Sequence, residues 1–487
     1  MRLYSSKIIR EEETRLFNSG VAPDVLIERA GFGLAQFLKN PRRVAIIIGS
    51  GNNGADGISA TFYLLDKGVK VDIFTVGEIK GEYSLQNLPR LNTMGIKSAP
   101  LSECEDLSCY DVVVDCIFGI GLNREVVGIH KEAIERINSE ARYVVSADIP
   151  SGISTDTGKV LGVAVKSDMT VSFSGPKLGY FLSDGLDYVG KVLYADTGIL
   201  PKDYEAVLLN RVSFPKRRKN THKGDYGKIA IIGGSAKYVG APILAERSAK
   251  ASLRSGAGLV KLCVPYSMQE AYQGRVCVQT LDFLPDIDGN ILFDKKKLDE
   301  IVSWSDVIVV GMGLGVTDEV KKVVTYLIEK APCIVLDADA LNCISDAPVV
   351  LKNGRRVVIT PHLGEFSRLI GRDVKNIEPL ADAKAFSAEY GVTIHLKGAT
   401  SVTVYESGEA YVTSSGSPAL AKGGSGDVLA GVIASFIGQN IENPVATASF
   451  IHGDAGRLAE LKFGEMGTLA SDLPDKIAES IRNHSQK

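Results

Sequence analysis

The residues Gly423-Gly424-Ser425-Gly426-Asp427 combine two groups that phosphoryl transfer requires, an anion cradle and a carboxylate. Glycines lack a Cβ, so their backbone N–H groups can crowd together and face an anion. The residues that follow predict a helix over 427–436, whose first N–H groups and positive dipole end add to the cradle. Asp427 could then accept a proton from a substrate hydroxyl. The alternative, from these residues alone, is a glycine-rich loop with Asp427 as a helix cap.

A second element lies upstream, at Thr360-Pro361-His362-Leu363-Gly364-Glu365. It follows a predicted strand, and α/β sheets bind ligands at the carboxyl ends of their strands. The element resembles the Thr-Pro-Asn-x-x-Glu segment of sugar kinases, with His362 in place of Asn. The glycine-rich loop resembles the anion hole of the ribokinase-like superfamily. The resemblance implies that Asp427 is the catalytic base. It also implies that Glu365 organises Mg²⁺ and phosphate through water, because Mg²⁺ keeps several water ligands.

Further segments narrow the resemblance to one branch, the NAD(P)H-hydrate dehydratases, over about residues 221–474. They are 222–227, 233–235, 240–241, 311–315 and 336–342, together with the segment 360–365. The resemblance implies that the hydrated nicotinamide nucleotide contacts Ala241, Gly313, His362 and Asp427. It implies that the adenine nucleotide contacts Lys397, Gly398, Ala399, Thr400, Ser401 and Gly426. Met312 stands where the family commonly has Pro. The roles of Asp337 and Asp339 are left open, because one could be structural and either could help to place a metal.

In the first half of the chain, a glycine-rich turn at 49–57 lies between a predicted strand at 44–48 and a helical segment at 58–66. Such a turn commonly binds phosphate. It matches neither the GxGxxG fingerprint nor the P-loop, so a purely structural turn is the alternative. Asp115 and Asp148 each end another predicted strand and lead into loops of small residues. Three such segments at strand ends predict a ligand site.

These segments resemble the NAD(P)H-hydrate epimerases over about residues 4–208, and residues 26–31 also fit that family. The resemblance implies that Asp148 contacts the substrate near the reacting ring and is a catalytic candidate. It implies further substrate contacts from Asn52, Asn53, Gly54, Ala55, Asp56, Gly119, Ile120, Gly121, Leu122, Asn123, Arg124 and Glu125. It also implies a K⁺ ion held by Asn53, Asp115 and Ser151, an all-oxygen set that suits a hard cation. Ala55 replaces the usual Gly, and its methyl group could narrow the phosphate pocket.

Together the resemblances imply a bifunctional NAD(P)H-hydrate repair enzyme. Its epimerase interconverts R and S hydrates of NADH and NADPH at C6, and its dehydratase restores NAD(P)H from the S form by phosphorylation and phosphate elimination. ADP is the expected donor because fused forms resemble the bacterial and archaeal type, and ATP is possible. The alternatives are a vitamin or sugar kinase fused to a nucleotide-binding module, and a non-catalytic nucleotide sensor. The kinase alternative is disfavoured by His362 and residues 222–227. The sensor alternative is disfavoured by the presence of Asp427, the anion hole and Glu365.

These site residues need parallel strands to position them, and both halves of the chain contain the pattern. Short apolar, β-branched runs predict buried strands at 44–48, 71–76, 112–117, 143–147 and 169–173, and then at 229–233, 259–264, 307–310, 334–337, 357–359 and 392–396. Helix-like segments, the first at 7–38, separate several of them, which is typical of α/β sheets with helices on both faces. A hairpin is predicted over 401–413. The resemblances make these a Rossmann-like three-layer sandwich and a ribokinase-like three-layer domain.

The organisation that follows is an epimerase domain at 1–209, a linker at 210–223 and a dehydratase domain at 224–487. The linker contains Pro215 and a basic run at 216–219, which we interpret as a solvated connector because no aromatic residues interleave it. A nucleic-acid patch is the alternative.

The bulk composition agrees with an ordinary globular enzyme. The 487 residues carry a formal net charge of −3, with 45% hydrophobic and 23% charged residues, so nothing global calls for nucleic acid or an anionic membrane. We find neither a secretory signal nor an apolar stretch long enough to span a membrane. The seven scattered cysteines suit free thiols in a reducing cytoplasm. We therefore expect a cytoplasmic protein, a homo-oligomer, whose partners are small molecules.

Overall fold

A computed structural model describes residues 1–235, 241–273 and 279–485. The chain divides into two compact units, Arg2–Val207 and Leu208–Lys487, and the second also includes Met1. Each unit contains one large sheet. Ala241 begins a described helix, but its side chain lies outside the described residues.

The N-terminal unit contains a parallel sheet with helices between its strands. Its strands are β1 (Arg2–Leu3), β2 (Arg43–Ile48), β3 (Lys70–Thr75), β4 (Ser98–Pro100), β5 (Val112–Cys116), β6 (Val144–Ala147), β7 (Met169–Phe173), β8 (Lys191–Ala195) and β9 (Ala206–Leu208). Its helices are α1 (Ser6–Asn18), α2 (Pro23–Phe37), α3 (Asn52–Asp66), α4 (Glu82–Thr93), α5 (Gly128–Glu140) and α6 (Gly185–Tyr188). The sheet order is β4-β3-β2-β5-β6-β7-β8, all parallel, while β1 pairs with β9 antiparallel.

Strand β2 shows how this unit buries its apolar residues. Successive side chains of a strand point to opposite faces, so a wholly apolar run requires cover on both sides. Val44, Ile46 and Ile48 pack in one core cluster with residues of α2 and α3. Ala45 and Ile47 pack in a second cluster with residues of α5. Helices therefore cover both faces, and the predicted α/β class is confirmed.

The predicted helical segment at 7–38 is two helices rather than one. The chain leaves α1 through Gly20, which has a φ of 96°, and enters α2 at Pro23. Proline is well suited to the first position of a helix, because it has no N–H group to leave unpaired there. Strand β8 was not predicted, because it lies at the edge of the sheet and only one of its five residues is fully buried.

The C-terminal unit contains a larger mixed sheet. Its strands are β10 (Lys228–Ile232), β11 (Leu259–Pro265), β12 (Thr280–Leu284), β13 (Asp286–Ile287), β14 (Asn290–Ile291), β15 (Val307–Val310), β16 (Cys333–Leu336), β17 (Arg356–Ile359), β18 (Thr393–Leu396), β19 (Ser401–Val404) and β20 (Ala410–Thr413). Its helices are α7 (Ala241–Arg254), α8 (Gln269–Gln273), α9 (Lys295–Trp304), α10 (Asp318–Lys330), α11 (Asp339–Ile344), α12 (Leu363–Ile370), α13 (Pro379–Tyr390), α14 (Ser425–Gly438), α15 (Pro444–Phe463) and α16 (Leu473–Ser485). Strands β20-β19-β18-β17-β16-β15-β10-β11-β12 are neighbours in that order. The pairs from β18 to β20 are antiparallel and the others parallel, which confirms the predicted hairpin.

Helix α14 lies in the core of the C-terminal unit and carries the glycine-rich loop at its start. Residues 428–437 are all buried, which is typical of a helix enclosed by other elements. Gly431 allows α14 to approach α7, because a Cβ at this position would collide with the backbone of Ser248. The predicted helix at 427–436 is confirmed and extends in both directions.

Helices α15 and α16 were not predicted. In α15, close packing depends on small residues that give a weak apolar pattern. A Cβ on Gly453 would collide with Ser415, and a Cβ on Gly456 would meet the Leu420 side chain at 2.6 Å. Glycine has no apolar side chain, so close contacts of this kind do not contribute to the hydrophobic periodicity of the sequence.

Residues 210–223, the predicted linker, pack on the C-terminal unit. Val212 is buried in its core, and Phe214 packs against the same cluster. Arg217 donates a hydrogen bond to the carbonyl of Gly256, just beyond the end of α7. At least one cation of the basic run therefore contacts a helix end, where positive charge is favourable.

Two further predictions concern membranes and cysteines. Across the described ranges, no helix is both long and apolar enough to cross a bilayer. The described cysteines are free, with Cys109 exposed and the others buried, while Cys277 lies outside the described residues.

Candidate active sites

The N-terminal unit contains a cavity of about 500 Å³ at the carboxyl ends of β2, β5 and β6. Helices α1 and α2 contribute part of its wall, through residues such as Glu13 and Ile27. The predicted substrate contacts that line it are Asn52, Asn53, Asp56, Gly119, Ile120, Gly121, Leu122, Asn123, Arg124 and Asp148. The structure therefore brings both predicted loops and Asp148 around one ligand-sized space.

Helix α3 begins at Asn52, earlier than predicted, so much of the glycine-rich segment forms its first turns. The free N–H groups of this helix start suit an anion. Gly54 is required because a Cβ there would collide with the carbonyl oxygen of Gly49. The methyl group of Ala55 is buried in the core and does not narrow the cavity. Among the described residues, Gly54, Ala55 and Glu125 are predicted contacts that lie outside the cavity lining.

Asp148 follows β6 in a left-handed backbone conformation, with a φ of 66°. Asp and Asn adopt this region more readily than other residues with side chains. Asp148 Oδ1 accepts a hydrogen bond from the Phe173 N–H at 2.9 Å and forms an ion pair with the ammonium of Lys177. Burial lowers the pKa of Lys177, and Asp148 opposes that shift. The sequence did not reveal Lys177, because the two residues are 29 positions apart.

The three residues predicted to hold K⁺ are linked through Ser151 and the backbone of Phe118. Asn53 donates to the Phe118 carbonyl at 2.9 Å, and the Phe118 N–H donates to Ser151 Oγ at 2.8 Å. Asp115 accepts hydrogen bonds from the Ser151 hydroxyl at 2.5 Å and from the Ser151 N–H at 2.8 Å. Burial raises the pKa of Asp115 despite these bonds. Asn53 Oδ1 is buried with no hydrogen-bond partner in the described part of the chain.

In the C-terminal unit, polar residues follow the ends of three adjacent strands. Asp337 follows β16, Thr360 follows β17, and Lys397 follows β18. Asp337 Oδ1 accepts hydrogen bonds from Lys397 Nζ at 2.6 Å and from Thr360 Oγ1 at 2.9 Å. Although burial lowers the pKa of Lys397, Asp337 and Glu365 raise it overall. A half-buried cation, held by hydrogen bonding to Asp337, therefore lies at this edge of the sheet.

The glycine-rich loop meets this cation. Gly424 takes a φ of 96° before α14, and a Cβ on Gly426 would lie 3.2 Å from Lys397 Nζ. Asp427 lies in the first turn of α14. Burial and the neighbouring Asp337 raise the pKa of Asp427 to about 6, against the lowering effect of Lys397. The carboxyl group can therefore exchange a proton near neutral pH. Arg247 of α7 also acts on Asp427 and was not predicted.

His362 caps helix α12. Its Nδ1 accepts a hydrogen bond from the Gly364 N–H at 3.0 Å, and Glu365 Oε2 accepts one from the His362 N–H at 2.8 Å. This reciprocal arrangement is a capping box, which satisfies two free N–H groups. The Glu365 side chain is buried, and its Oε2 lies 3.9 Å from Lys397 Nζ. The structure thus joins Glu365 to the cluster and leaves the more exposed His362 ring at its border.

Asp337 and Asp339 have separate surroundings. Asp339 Oδ2 accepts a hydrogen bond from the Gly315 N–H at 2.8 Å, which holds the loop after β15. Gly313 of that loop has a φ of 60°. Asp337 instead faces Lys397 and Asp427. Asp337 is therefore the carboxylate of this pair that belongs to the site.

The predicted nucleotide segment runs from Lys397 into β19. Gly398, Ala399 and Thr400 form the turn between β18 and β19, and Ser401 begins β19. Thr400 Oγ1 is buried and has no hydrogen-bond partner within the described ranges. The same described ranges contain no group of three His, Cys, Asp or Glu residues able to hold a metal ion.

Comparisons with known proteins find relatives of both halves of the chain. Residues 229–479 match the family described as NAD(P)H-hydrate dehydratase, and residues 23–179 match the YjeF-related protein N-terminus. The bifunctional NAD(P)H-hydrate repair enzyme Nnr of Thermofilum pendens is 33% identical, over 98% of this chain and 96% of its own length. That of Dictyoglomus turgidum is 34% identical over the full length of both chains. The Bacillus subtilis ADP/ATP-dependent NAD(P)H-hydrate dehydratase, co-crystallized with ATP/Mg²⁺, is 27% identical over 56% of this chain and 95% of its own, with a TM-score of 0.46. The chain belongs to the family of bifunctional NAD(P)H-hydrate repair enzymes.

Proposed function

We propose that the two steps of hydrate repair are divided between the two units. The N-terminal cavity epimerises R and S hydrates of NADH and NADPH, and the site around Asp427 dehydrates the S form with ADP, or ATP, as donor. The observation that supports the second assignment most directly is a half-buried carboxylate at a glycine-rich helix start, near the cation Lys397. We place the domain boundaries at 1–209 and 224–487, with 210–223 as the connection.

In the dehydration step, Asp427 accepts the proton of the C6 hydroxyl as the phosphoryl group moves onto that oxygen. The loop amides, the start of α14 and Lys397 stabilise the negative charge of the transferred group. Phosphate is a far better leaving group than hydroxide. The ring nitrogen's electron pair then expels phosphate from C6, and loss of a proton from C5 restores the dihydronicotinamide.

Mg²⁺ fits the charge of this site. Asp337 and Glu365 are buried carboxylates that share one lysine, so a further cation is favourable here. We propose that both act on Mg²⁺ through water and donor phosphates, as suits an ion that keeps several water ligands. Bound there, the ion would neutralise phosphate charge. The amides of 398–401 and the free hydroxyl of Thr400 would hold the nucleotide.

K⁺ fits the N-terminal set. The unpartnered Asn53 Oδ1 and the buried Asp115 carboxylate offer hard oxygen ligands beside Ser151. An ion there would balance the charge of Asp115 and hold the backbone of Phe118 at the cavity edge. Its chemistry would be charge neutralisation and substrate positioning.

The function is tested by incubating the purified chain with mixed R and S NADPH hydrate and either ADP or ATP. The expected result is full recovery of dihydronicotinamide absorbance, with more than the S fraction restored because R is converted. A stable phosphorylated product would instead indicate a small-molecule kinase. Recovery of the S fraction alone would refute the epimerase assignment. Homo-oligomer formation stays a prediction, to be measured by light scattering.

A further inference from the structure

Helix α1 carries three consecutive glutamates with different surroundings. Glu11 is exposed and forms a surface pair with Lys7 at 3.8 Å. Glu12 is buried and binds Arg15 through both carboxylate oxygens, at 2.5 and 2.9 Å. Glu13 is half-buried and lines the N-terminal cavity. In the described part of the chain, it has no hydrogen bond or ion pair that would explain its burial.

The same cavity is lined by Asp148 and Asp56. Oδ1 of Asp148 is occupied by the Phe173 N–H and by Lys177, whereas Oδ2 has no partner among the described residues. Burial, and then the charge of Asp148, raise the pKa of Glu13 and of Asp56. The cavity therefore holds one carboxylate in contact with an ammonium and two, Asp56 and Glu13, that have no such contact among the described residues.

A structural explanation of Glu13 fails for two reasons. Partial burial of a carboxylate costs free energy, and no contact of Glu13 within the described residues offsets that cost. The neighbouring Glu11 and Glu12 show that the helix itself satisfies its other glutamates with local cations. Glu13 also lies outside residues 23–179, which match the family of the N-terminal half.

We infer that Glu13 is a catalytic acid–base residue of epimerisation, acting together with Asp148 on the C6 centre. The inference rests on the proposed assignment of epimerisation to this cavity. It makes α1 part of the catalytic machinery rather than a support for the sheet.

The chemistry balances without water or an oxidant. Asp148 takes the proton of the C6 hydroxyl as the C6–N1 bond breaks, and Glu13 gives its proton to N1, which leaves with the electron pair. C6 is then an aldehyde. Rotation about C5–C6 presents the other face to N1. N1 attacks C6 and returns its proton to Glu13, while Asp148 returns its proton to the oxygen, so both carboxyl groups end as they began.

The test compares Glu13→Gln with Glu11→Gln in the full chain. Interconversion of purified R and S hydrate is followed by proton NMR, with the uncatalysed rate subtracted. Glu13→Gln should lose about 10²- to 10⁴-fold in epimerisation rate, the usual contribution of an acid–base group, whereas Glu11→Gln should match the wild type. Glu13→Asp, which keeps the carboxyl group, should recover part of the loss. The melting temperature should not fall, because a carboxylate whose pKa burial raises does not stabilise the fold when ionised, and the affinity for NADP⁺ should be unchanged.

The pH profile separates catalysis from structure. Epimerisation by the wild type should fall at high pH as Glu13 loses its proton, and Glu13→Gln should lack that limb. A Glu13→Gln variant within about threefold of wild type, a change worth only ~0.7 kcal/mol, would overturn the inference. So would a loss of rate with the wild-type pH profile. A wild-type chain that does not epimerise would instead refute the function assigned to the cavity, whatever Glu13→Gln does.

Discussion

Asp148 and Asp427 are both carboxylates near a lysine, yet the lysine acts differently in the two units. In the N-terminal unit, Lys177 contacts Asp148 directly and fixes it in an ion pair. In the C-terminal unit, Lys397 contacts Asp337, and Asp427 is left with a pKa of about 6. Similar sheets thus provide two electrostatic settings. Direct pairing with Lys177 holds the Asp148 carboxylate in place, whereas Asp427 has no direct cation partner among the described residues and has a pKa raised toward neutrality.

The substitution with the largest expected effect on this comparison is at Asp427. Asp427→Asn keeps the size of the side chain but removes the base, so dehydration of the S hydrate should fall by about 10²- to 10⁴-fold. Adenine nucleotide should still bind, because the loop amides and Lys397 remain. Epimerisation should be unchanged, because that cavity is in the other unit. Dehydration is measured by absorbance and epimerisation by NMR. A variant that dehydrates within about threefold of wild type would remove Asp427 from the role of base.

Asp148→Asn should reduce R-to-S conversion on the order of 10²-fold or more while dehydration of pure S hydrate continues. Asn suits the left-handed backbone, whereas Asp148→Ala adds strain. The substitution also leaves the buried Lys177 without its partner. Breaking a buried pair in this way lowers the free energy of unfolding by about 3 to 5 kcal/mol. The double variant Asp148→Asn, Lys177→Met should regain stability but not activity. Equal loss of both activities in that double variant would show that the two sites are coupled.

The pH dependence of dehydration tests the raised pKa of Asp427. The ionised fraction of Asp427 grows as pH rises through about 6, so kcat/KM should climb there and level off above. Asp337→Asn removes a charge that raises this pKa, so the acid limb should move to lower pH. Profiles measured between about pH 5 and pH 8 test this. An unmoved limb in Asp337→Asn would mean that another group controls the profile.

The smallest expected effect is a gain in stability. The pKa of Asp427 rises from 3.8 to about 6 on folding, and one pKa unit corresponds to about 1.4 kcal/mol. The ionised group therefore destabilises the fold by on the order of 1 to 3 kcal/mol above pH ~6, and not at all below pH ~4. Asp427→Asn should melt higher than wild type at pH 8, and the difference should vanish at low pH. A variant that melts lower at pH 8 would contradict the assigned electrostatics.

Much of the scaffold could be predicted from the sequence because local patterns carry it. The run at 44–48 and the strand at Val307–Val310 are wholly apolar, so their burial is visible without a structure. The strand-end carboxylates Asp115 and Asp337 could be found for the same reason, since strand ends and polar residues are both local features.

The remaining parts depend on distant contacts. In the sequence, Lys177 looks like an ordinary surface lysine, and only the fold shows its contact with Asp148. In the sequence, Glu13 is one of three consecutive glutamates, and only its position in the cavity lining distinguishes it from Glu11 and Glu12. The orientation of Ala55 was equally hidden, because a helix that starts six residues earlier than predicted turns its methyl group into the core.

The positive φ of Asp148 has an evolutionary consequence. The residues that tolerate this backbone best are Gly, Asn and Asp. Asp codons reach those of Asn and Gly by a single nucleotide change. The substitutions most easily produced at this position are therefore the ones that the backbone accepts, and both remove the carboxylate. Backbone conformation alone therefore offers Asp148 no protection. In a lineage that no longer needs epimerisation, what opposes its loss is the buried Lys177, which would remain without its partner.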